Sequence, residues 1–373
     1  YTSTYVSGGD AVPILVKTRE GRPIKIEGNN SSTITHGGTS ARAQASILSL
    51  YDTSRFTMPK VKDGENWNDA SWSEIDKTVL TALNAAKRIR IVTNTVVSPS
   101  AKAAMAELEA KYPDAKVVTY DTVSYSAMLD ANERTLGERV IPDYRFDKAD
   151  VIVSFGADFL GTWVSPVEFS KQWADGRKIE SITNPKMSRH IQVESGMSLT
   201  GSNADNRIMV KPSEMGSAIA YLANKIVGGI SVKQLNPKAK ANLDKLAKEL
   251  KAARGKSLVV SGSNNVSEQI LVNAINSTLG NIGRTVNFGN VSLQRQGSDG
   301  DMKQLVSDLK SGQVDVLIVN QCNPVYDYAG AEDLAAGLAK VKTKISLSAT
   351  NDETTDMCDI IAPTHHQLES WGD

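Results

Sequence analysis

Few side chains in this protein are of the types that bind metals or catalyse reactions. Cys322 and Cys358 are the only cysteines, too few to hold an iron–sulfur cluster or a structural zinc by themselves. They could form one disulfide, or they could be two small buried hydrophobic side chains. Of the four histidines, His365 and His366 are adjacent and would point to opposite faces of a strand. The cysteines and histidines therefore predict no metal site.

Motifs for nucleotide binding and hydrolysis are also missing. The turn after the predicted strand 89–97 contains Thr93-Asn94-Thr95 instead of the G-x-G-x-x-G that lets a backbone approach a pyrophosphate. Neither a G-x-x-x-x-G-K-[ST] loop nor a G-x-S-x-G elbow occurs. Acidic pairs such as Glu353 and Asp356 lie in polar loops or first helical turns, where capping or solvation explains them. Taken alone, the residues identify no catalytic constellation.

Composition and charge are those of an ordinary globular protein. Of the 373 residues, 40% are hydrophobic and 23% are charged, which is enough for one large core or several ordinary ones. The 42 basic and 42 acidic side chains cancel, which argues against nucleic acid or an anionic membrane surface as a partner. No apolar run approaches the ~18 residues that a spanning helix needs. Because the chain begins at Tyr1 and stops at Asp373 within a motif, we expect it to be a piece of a longer protein.

The spacing of hydrophobic residues alternates between strand and helix along most of the chain. Near-continuous apolar strands separated by helices are typical of parallel sheets that are covered on both faces, so the pattern predicts an α/β fold. The predicted strands are residues 89–97, 116–120, 150–155, 190–194, 207–210, 257–261, 285–290, 314–320, 344–347 and 359–362. The predicted helices after residue 99 are 100–112, 124–136, 166–174, 213–226, 238–253, 267–279, 301–310 and 331–340.

Small and polar residues follow several of these strands. Gly156, Gly262 and Asn320 are examples. We expect them at the carboxyl ends of the sheet, where open α/β folds bind ligands. Residues 228–237 are a candidate linker.

The first 70 residues show a different pattern. Residues 13–18 and 24–27 alternate between apolar and polar side chains with a turn between them, which predicts a hairpin. A polar loop is predicted over residues 62–68, and residues 63–69 are a second candidate linker. Ser71 is predicted to cap the helix that follows the loop.

Five segments, in a fixed order across nearly the whole chain, carry a family resemblance. They include LYDTSRFTMP near the start and SLTGSNAD in the middle, and they cover residues 13–59, 70–83, 148–163, 194–223, and 314–325 with 350–373. Together they resemble the motifs of molybdopterin oxidoreductases of the dimethyl sulfoxide reductase type. The resemblance implies two Rossmann-like parallel-sheet domains and a small β-rich N-terminal domain.

The chain departs from the family's pattern where the first cofactor would bind. No cysteine occurs in the first 40 residues, and Ser40 stands where the family has the last ligand of an iron–sulfur cluster. Arg42 stands where the family has a lysine between cluster and pterin, so the charge is kept but the donor geometry differs. The resemblance therefore implies that this cluster is missing.

Further departures fall at the positions for the pterin dinucleotide and its metal. Residues 194–196 are ESG where the family has an Asp-Pro-Arg motif, so a guanidinium is lost. Met215 replaces the acid that would accept a hydrogen bond from a guanine edge. The metal ligand would follow the strand 116–120, where only Ser124 and Ser126 offer a hydroxyl group.

These departures make the chain most similar to the cofactor-less molybdopterin-like domain of the large iron–sulfur subunit of alternative complex III. That similarity implies a scaffold domain in a quinol-oxidising respiratory complex, with no catalytic, cofactor-binding or metal-binding residue of its own. It implies iron–sulfur clusters in a following domain and haem in partner subunits. The implied partners are quinol-oxidising integral membrane subunits and c-type cytochrome subunits at the periplasmic face of the bacterial inner membrane, without a membrane span in this segment.

The resemblance also implies domain boundaries. The β-rich N-terminal domain would cover residues 1–70, a discontinuous α/β domain residues 71–145 and 255–373, and an inserted α/β domain residues 146–254. Two alternative functions remain open. The chain could be a working molybdopterin-dependent oxidoreductase subunit whose metal is held by Ser124 or Ser126, or a non-enzymatic α/β binding module for a small solute or a protein.

Overall fold

The computed structural model describes residues 1–372. The strands are β1 Thr2–Ser7, β2 Asp10–Arg19, β3 Arg22–Gly28, β4 Lys60–Asp63, β5 Asn66–Asp69, β6 Ile89–Thr93, β7 Lys116–Thr119, β8 Ile141–Tyr144, β9 Val151–Phe155, β10 Arg189–Glu194, β11 Asn206–Met209, β12 Ser257–Ser261, β13 Val286–Ser292, β14 Val316–Asn320, β15 Thr343–Ser346 and β16 Ile360–Ile361. The helices are α1 Ala41–Ala45, α2 Ile47–Leu50, α3 Trp72–Ala85, α4 Pro99–Lys111, α5 Ser126–Leu136, α6 Pro166–Gly176, α7 Leu199–Ser202, α8 Met215–Ile226, α9 Pro237–Ala252, α10 Val266–Thr278, α11 Asp299–Lys310, α12 Pro324–Asp327, α13 Ala331–Leu338 and α14 Glu353–Asp356.

The chain folds into two compact units. The first unit contains residues 1–27 and 39–124 and the chain from Arg295 onward, and the second contains residues 28–38 and 125–294. Within residues 1–372, no helix is both long enough and apolar enough to cross a bilayer.

The first unit is built on a seven-stranded sheet with the order β5-β4-β16-β15-β14-β6-β7. Its strands from β16 to β7 run parallel, and β4 pairs antiparallel with β16 and β5. The central strands read IRIVT and VLIVN and are buried along most of their length, as a parallel sheet covered on both faces requires. The predicted α/β class with parallel strands is confirmed.

Helix α3 begins where the sequence predicts. The Oγ of Ser71 accepts a hydrogen bond from the N–H of Glu74 at 3.3 Å, and the Glu74 carboxylate accepts from the N–H of Ser71 at 2.8 Å. This reciprocal pair is a capping box, which satisfies two backbone donors at the start of the helix. Ile75 and Leu83 then bury one face of α3 against the sheet.

The hairpin of β4 and β5 occupies the residues for which a polar loop and a linker were predicted. Val61 pairs with Ile360 of β16, and the Nζ of Lys62 lies 5.2 Å from the ring centre of Trp67. Gly64 forms the turn with φ +61°. The loop prediction is wrong because an edge hairpin is largely polar, so its composition resembles that of a loop.

A three-stranded sheet of β1, β2 and β3 precedes these elements. The predicted hairpin is present as β2 and β3, joined by Glu20 and Gly21 with φ +51° and +77°. Two successive residues with positive φ are typical of the turn that matches the strand twist. Strand β1, which pairs antiparallel with β2, was not predicted.

The second unit contains a parallel four-stranded sheet with the order β11-β10-β9-β12, and β8 and β13 form a separate antiparallel pair. One core packs aliphatic side chains of α8 and α9 against the sheet. A second core is aromatic, with the rings of Phe146 and Phe159 stacked at 4.3 Å and Phe169 at 4.9 Å from Phe146.

The division of the chain that follows from strand pairing differs from the domain boundaries predicted from the sequence. Because β12 pairs with β9 along its whole length, residues 255–294 complete the second unit, whereas the sequence-based division assigns them to the discontinuous α/β domain. Likewise β4 and β5 join the seven-stranded sheet, whereas the sequence-based division assigns them to an N-terminal domain. Periodicity predicts a strand but not its neighbour, so the sequence alone does not predict these pairings.

Candidate functional site

The residues predicted at one sheet edge lie at the carboxyl ends of two different sheets. Asn320 ends β14 in the first unit. Gly156 and Gly262 follow β9 and β12 in the second unit, where a Cβ atom on Gly262 would stand 2.6 Å from the carbonyl oxygen of Gly156. The two glycines let two backbone turns touch, so they serve packing between neighbouring strands.

A cavity of about 1120 Å³ opens at the carboxyl ends of β6 and β14 in the first unit. Its walls come from the loops after these strands, from α1 and α2, and from the turn after β1. Most of its polar lining side chains carry neutral hydroxyl or amide groups, for example those of Thr93, Asn94 and Asn320. The lining also contains one arginine, Arg42, two aspartates, Asp327 and Asp352, and two histidines, His365 and His366.

A buried carboxylate fixes the loop after β6. Asp121, which is 4% exposed, accepts hydrogen bonds from the N–H of Thr95 at 2.9 Å, from its hydroxyl at 2.5 Å, and from the N–H of Gly297 at 2.9 Å. The Thr95 hydroxyl oxygen in turn accepts from the N–H of Gln296 at 2.7 Å. Three donors satisfy the buried carboxylate, which joins segments far apart in the sequence.

Asp10 shares its carboxylate between two arginines. Arg295, which is 8% exposed and has φ +57°, donates to Asp10 and to the carbonyl of Gly8. Arg42 Nη1 lies 3.6 Å from the other oxygen of Asp10, and the Arg42 side chain is 69% exposed. The cation that lines the cavity is therefore already faced by a carboxylate.

Amide side chains hold the two strand-end loops together. Gln321 has φ +53°, a sparsely populated conformation for a residue other than glycine. Its carbonyl oxygen accepts from the Asn94 amide at 2.8 Å, and the Asn320 amide donates to the Thr93 hydroxyl at 2.9 Å. These donors are engaged within the protein and support the shape of the cavity.

Ser49 and His366 are 2.9 Å apart but do not form a nucleophile and its base. The Nδ1 of His366 accepts from the N–H of Leu368 at 3.2 Å, so the proton of the neutral ring is on Nε2, which donates to Ser49. The Ser49 hydroxyl donates to the carbonyl of Ser46 at 2.6 Å. Burial and the nearby Arg55 lower the pKa of His366, which favours this neutral ring. The contact joins two segments and activates no hydroxyl group.

Both cysteines are buried free thiols, which corrects the disulfide alternative. The Sγ of Cys322 lies 3.6 Å from the carbonyl of Val92, and that of Cys358 lies 3.4 Å from the carbonyl of Thr354. Burial raises the pKa of both thiols, to about 12 for Cys358. Because the thiolate is the form that binds metals and attacks electrophiles, both cysteines act as small buried hydrophobic side chains.

Ser40 contributes to local structure. Its Oγ accepts from the N–H of Ala43 at 3.1 Å and thereby caps α1. Among residues 1–372, no group of three or more histidine, cysteine, aspartate or glutamate side chains is arranged to hold a metal ion.

In the second unit, Glu194 is anchored by its neighbours. The Nε of Arg207 donates to its carboxylate at 2.5 Å, and the Ser198 hydroxyl donates at 2.7 Å. Burial opposes ionisation, but the hydrogen bonds from Ser198 and Arg207 hold the pKa of Glu194 below its usual range. Arg207 thus brings a guanidinium close to the position where the sequence lacks one, and its charge is paired with Glu194.

Glu214 and Met215 also have structural contacts. The Glu214 carboxylate accepts from the N–H groups of Lys211 and Asn236, each at 3.1 Å. Met215 packs against the aliphatic core, and its Cε would lie 3.7 Å from a Cβ atom on Gly156. The thioether of Met215 is only a weak acceptor, and the Glu214 carboxylate is engaged by the N–H groups of its neighbours.

The two serines considered as metal ligands are placed in different units. Ser124 is the last residue of its stretch of the first unit. Ser126 begins α5 in the second unit, is 3% exposed, and has its Oγ 3.5 Å from both Asp130 and Arg139. A metal held by either serine stays an untested prediction.

Comparison with known proteins identifies the family. A family model described as molybdopterin oxidoreductase matches residues 55–372. The chain belongs to the molybdopterin oxidoreductase family. Over 97% of its length it is 23% identical to the menaquinone reductase molybdopterin-binding-like subunit of Nitratidesulfovibrio vulgaris, and it spans 58% of that relative.

Solved structures with the same fold include enzymes of this architecture. Acetylene hydratase from Pelobacter acetylenicus superimposes with a TM-score of 0.69 and 9% identity, over 98% of this chain and 63% of that one. The formyltransferase/hydrolase complex of Methylorubrum extorquens superimposes with a TM-score of 0.55 and 14% identity, over 82% of this chain and 86% of that one. These similarities confirm the predicted fold class.

The lining of the first-unit cavity offers few groups for an anionic cofactor such as the one that gives the family its name. A molybdopterin dinucleotide carries a pyrophosphate, which proteins hold with arginines, lysines and free backbone N–H groups. Here Arg42 is faced by Asp10, and Asp327 and Asp352 add two carboxylates to the lining. The lining also contains the thiol of Cys322. Burial raises the pKa of this thiol, which disfavours the thiolate, the form that binds metals.

Proposed function

We propose that this chain is a scaffold domain, without a molybdopterin of its own, in the iron–sulfur subunit of a membrane-bound quinol:electron-acceptor oxidoreductase of the alternative complex III type. The observation that carries the proposal is the charge of the first-unit cavity. Its lining contains two carboxylates, those of Asp327 and Asp352, and one arginine, Arg42, whose guanidinium already lies beside the Asp10 carboxylate. A pyrophosphate would meet net repulsion there. The fold of the family is retained while the means of holding its cofactor are not.

The similarity to the molybdopterin-binding-like subunit of a menaquinone reductase supports a role in quinone-linked electron transfer. The proposal further includes iron–sulfur clusters in a following domain of the same polypeptide and haem in partner subunits. Its partners would be quinol-oxidising integral membrane subunits and c-type cytochrome subunits at the periplasmic face of the inner membrane.

The proposal is tested on the complex isolated through an affinity tag on this chain. Mass spectrometry identifies the co-purifying subunits, and quinol-dependent reduction of cytochrome c measures turnover. Arg42→Ala removes the cation that lines the cavity, and Arg22→Ala removes an exposed arginine of β3 as the matched control. For a scaffold domain, both variants keep turnover within about twofold of the parent complex, because the arginine contributes no transition-state contact.

Two outcomes would contradict the proposal. The first is a chain that purifies without integral membrane or cytochrome subunits. The second is an intact Arg42→Ala complex whose turnover falls by about tenfold or more while Arg22→Ala is unaffected, which would place Arg42 at a working cofactor.

A further inference from the structure

Strand β11 leaves one edge of the second-unit sheet unpaired. It pairs with β10 on one side and has no strand partner on the other within residues 1–372. The N–H of Val210 donates to the carbonyl of Glu194 at 3.2 Å. Because bonding residues alternate along a parallel strand, the main-chain groups of Arg207 and Met209 point to the open side. Natural proteins usually cover or blunt such an edge.

Three large apolar side chains are exposed around this edge. Met197, Leu199 and Met209 are 72%, 55% and 65% exposed. The three side chains lie in one region. Met209 pairs in register with Glu194, and Ser198, which lies between Met197 and Leu199, donates a hydrogen bond to the Glu194 carboxylate. Flexible thioether side chains adapt to a partner surface, and clustered exposed hydrophobic residues mark interaction sites.

A cavity of about 670 Å³ runs along the same strand. Its lining includes the consecutive residues 207–212, and Lys238 and Asn242 come from α9. Arg207 is paired with Glu194, whereas Lys211 and Lys238 form no ion pair within the described residues. Glu214 also lines the cavity, where its carboxylate accepts from the N–H groups of Lys211 and Asn236. The two lysines outnumber this carboxylate, so the cavity keeps a net positive charge beside an apolar and main-chain surface.

We propose that the β11 edge surface, formed by the open side of β11, Met197, Leu199 and the two lysines, docks an extended acidic segment of a partner polypeptide. The segment adds a strand beside β11 through the main-chain groups of Arg207 and Met209. Its apolar side chains cover the methionines, and its carboxylates meet Lys211 and Lys238. The inference rests on the proposed function, since a partner subunit of the complex supplies the segment.

Hydrogen–deuterium exchange compares the intact complex with the isolated full chain. In the complex, the amides of Arg207 and Met209 exchange at least about tenfold more slowly than in the isolated chain, because strand addition gives their N–H groups partners. Amides of β12, at the other edge of the same sheet, are the internal reference.

Charge reversal tests the acidic character of the segment. The double variant Lys211→Glu/Lys238→Glu lowers the fraction of chain assembled into the complex by about tenfold, while Lys245→Glu on α9, an exposed lysine outside the cavity lining, leaves assembly unchanged. Urea denaturation of each isolated variant shows that folding is retained.

The outcomes separate this inference from the proposed function. An intact complex with unchanged exchange at Arg207 and Met209 overturns the docking site and leaves the scaffold role standing. A chain isolated without any partner subunit overturns both. Slower exchange in the complex together with unchanged assembly of the double variant overturns the acidic partner.

Discussion

Replacing His190 by phenylalanine tests how burial sets the pH dependence of stability. His190 on β10 is 0% exposed, and neither of its ring nitrogens has a hydrogen-bond partner within the described residues. Its ring centre lies 5.0 Å from that of Phe159 and 6.2 Å from that of Trp173. Burial lowers the pKa of His190 to about 4, against a smaller opposing effect of the neighbouring Gln192 and Asp205.

The sign and size of the effect follow from proton linkage. In the unfolded chain the histidine binds a proton near its ordinary pKa of 6.5, whereas in the folded chain it resists protonation down to about 4. The free energy of unfolding therefore falls as the pH drops through this window. The full contribution is about 3 kcal/mol, of which about 2 kcal/mol is lost between pH 7 and pH 5. His190→Phe keeps an aromatic ring between its neighbours and removes the titrating group.

The assay is urea denaturation followed by tryptophan fluorescence at pH 7 and pH 5. We expect the difference in unfolding free energy between the two pH values to be smaller by about 2 kcal/mol in His190→Phe than in the parent chain. His365→Gln, at an exposed histidine, is the control and should keep the parent's pH dependence. Equal pH dependence of the parent and His190→Phe would refute the argument.

Three further predictions concern single side chains. Asp121→Ala leaves the N–H groups of Thr95 and Gly297 without their acceptor. It should therefore lower the free energy of unfolding, measured by urea denaturation, by about 3 kcal/mol. A change near zero would show that the hydrogen-bond network is dispensable. Burial raises the pKa of Glu168 to about 7. The contribution of Glu168 to the free energy of unfolding is therefore present below the ordinary glutamate pKa of 4.5 and is lost as the pH rises through 7. Glu168→Gln should abolish this loss when denaturation is compared at pH 5 and pH 8, and an unchanged loss would contradict the prediction. Ser40→Ala removes the cap of α1 and should lower the unfolding free energy by about 1 kcal/mol, and a stabilised variant would speak against the capping role.

The elements that the sequence predicts best are those whose signals are local. The acidic first turn after Ser71 predicts the start of α3 because the capping box lies within four residues. The run 257–261 predicts β12 at its observed ends because a buried parallel strand is apolar on both faces. The hairpin of residues 60–69 was missed because its strands are polar and lie at a sheet edge.

The site depends on contacts that no local pattern contains. Asp121 directly follows the predicted strand 116–120, a signal that could have marked it, but its partner Gly297 lies on the segment that returns to the first unit. Arg207 on the neighbouring strand β11 brings a guanidinium, paired with Glu194, close to residues 194–196, and only strand pairing reveals this. The substitutions at Ser40 and Met215 were visible in the sequence, whereas their roles in capping and packing required the structure.

The most direct measurement of the central claim is the content of molybdenum, tungsten and pterin in the purified complex that contains this chain. Metals are counted per polypeptide by mass spectrometry, and pterin is measured by fluorescence after oxidation and acid extraction. The proposed scaffold role predicts that metal and pterin are both near zero. Close to one metal ion with pterin per chain would contradict it and would make Ser124 and Ser126 the first residues to mutate.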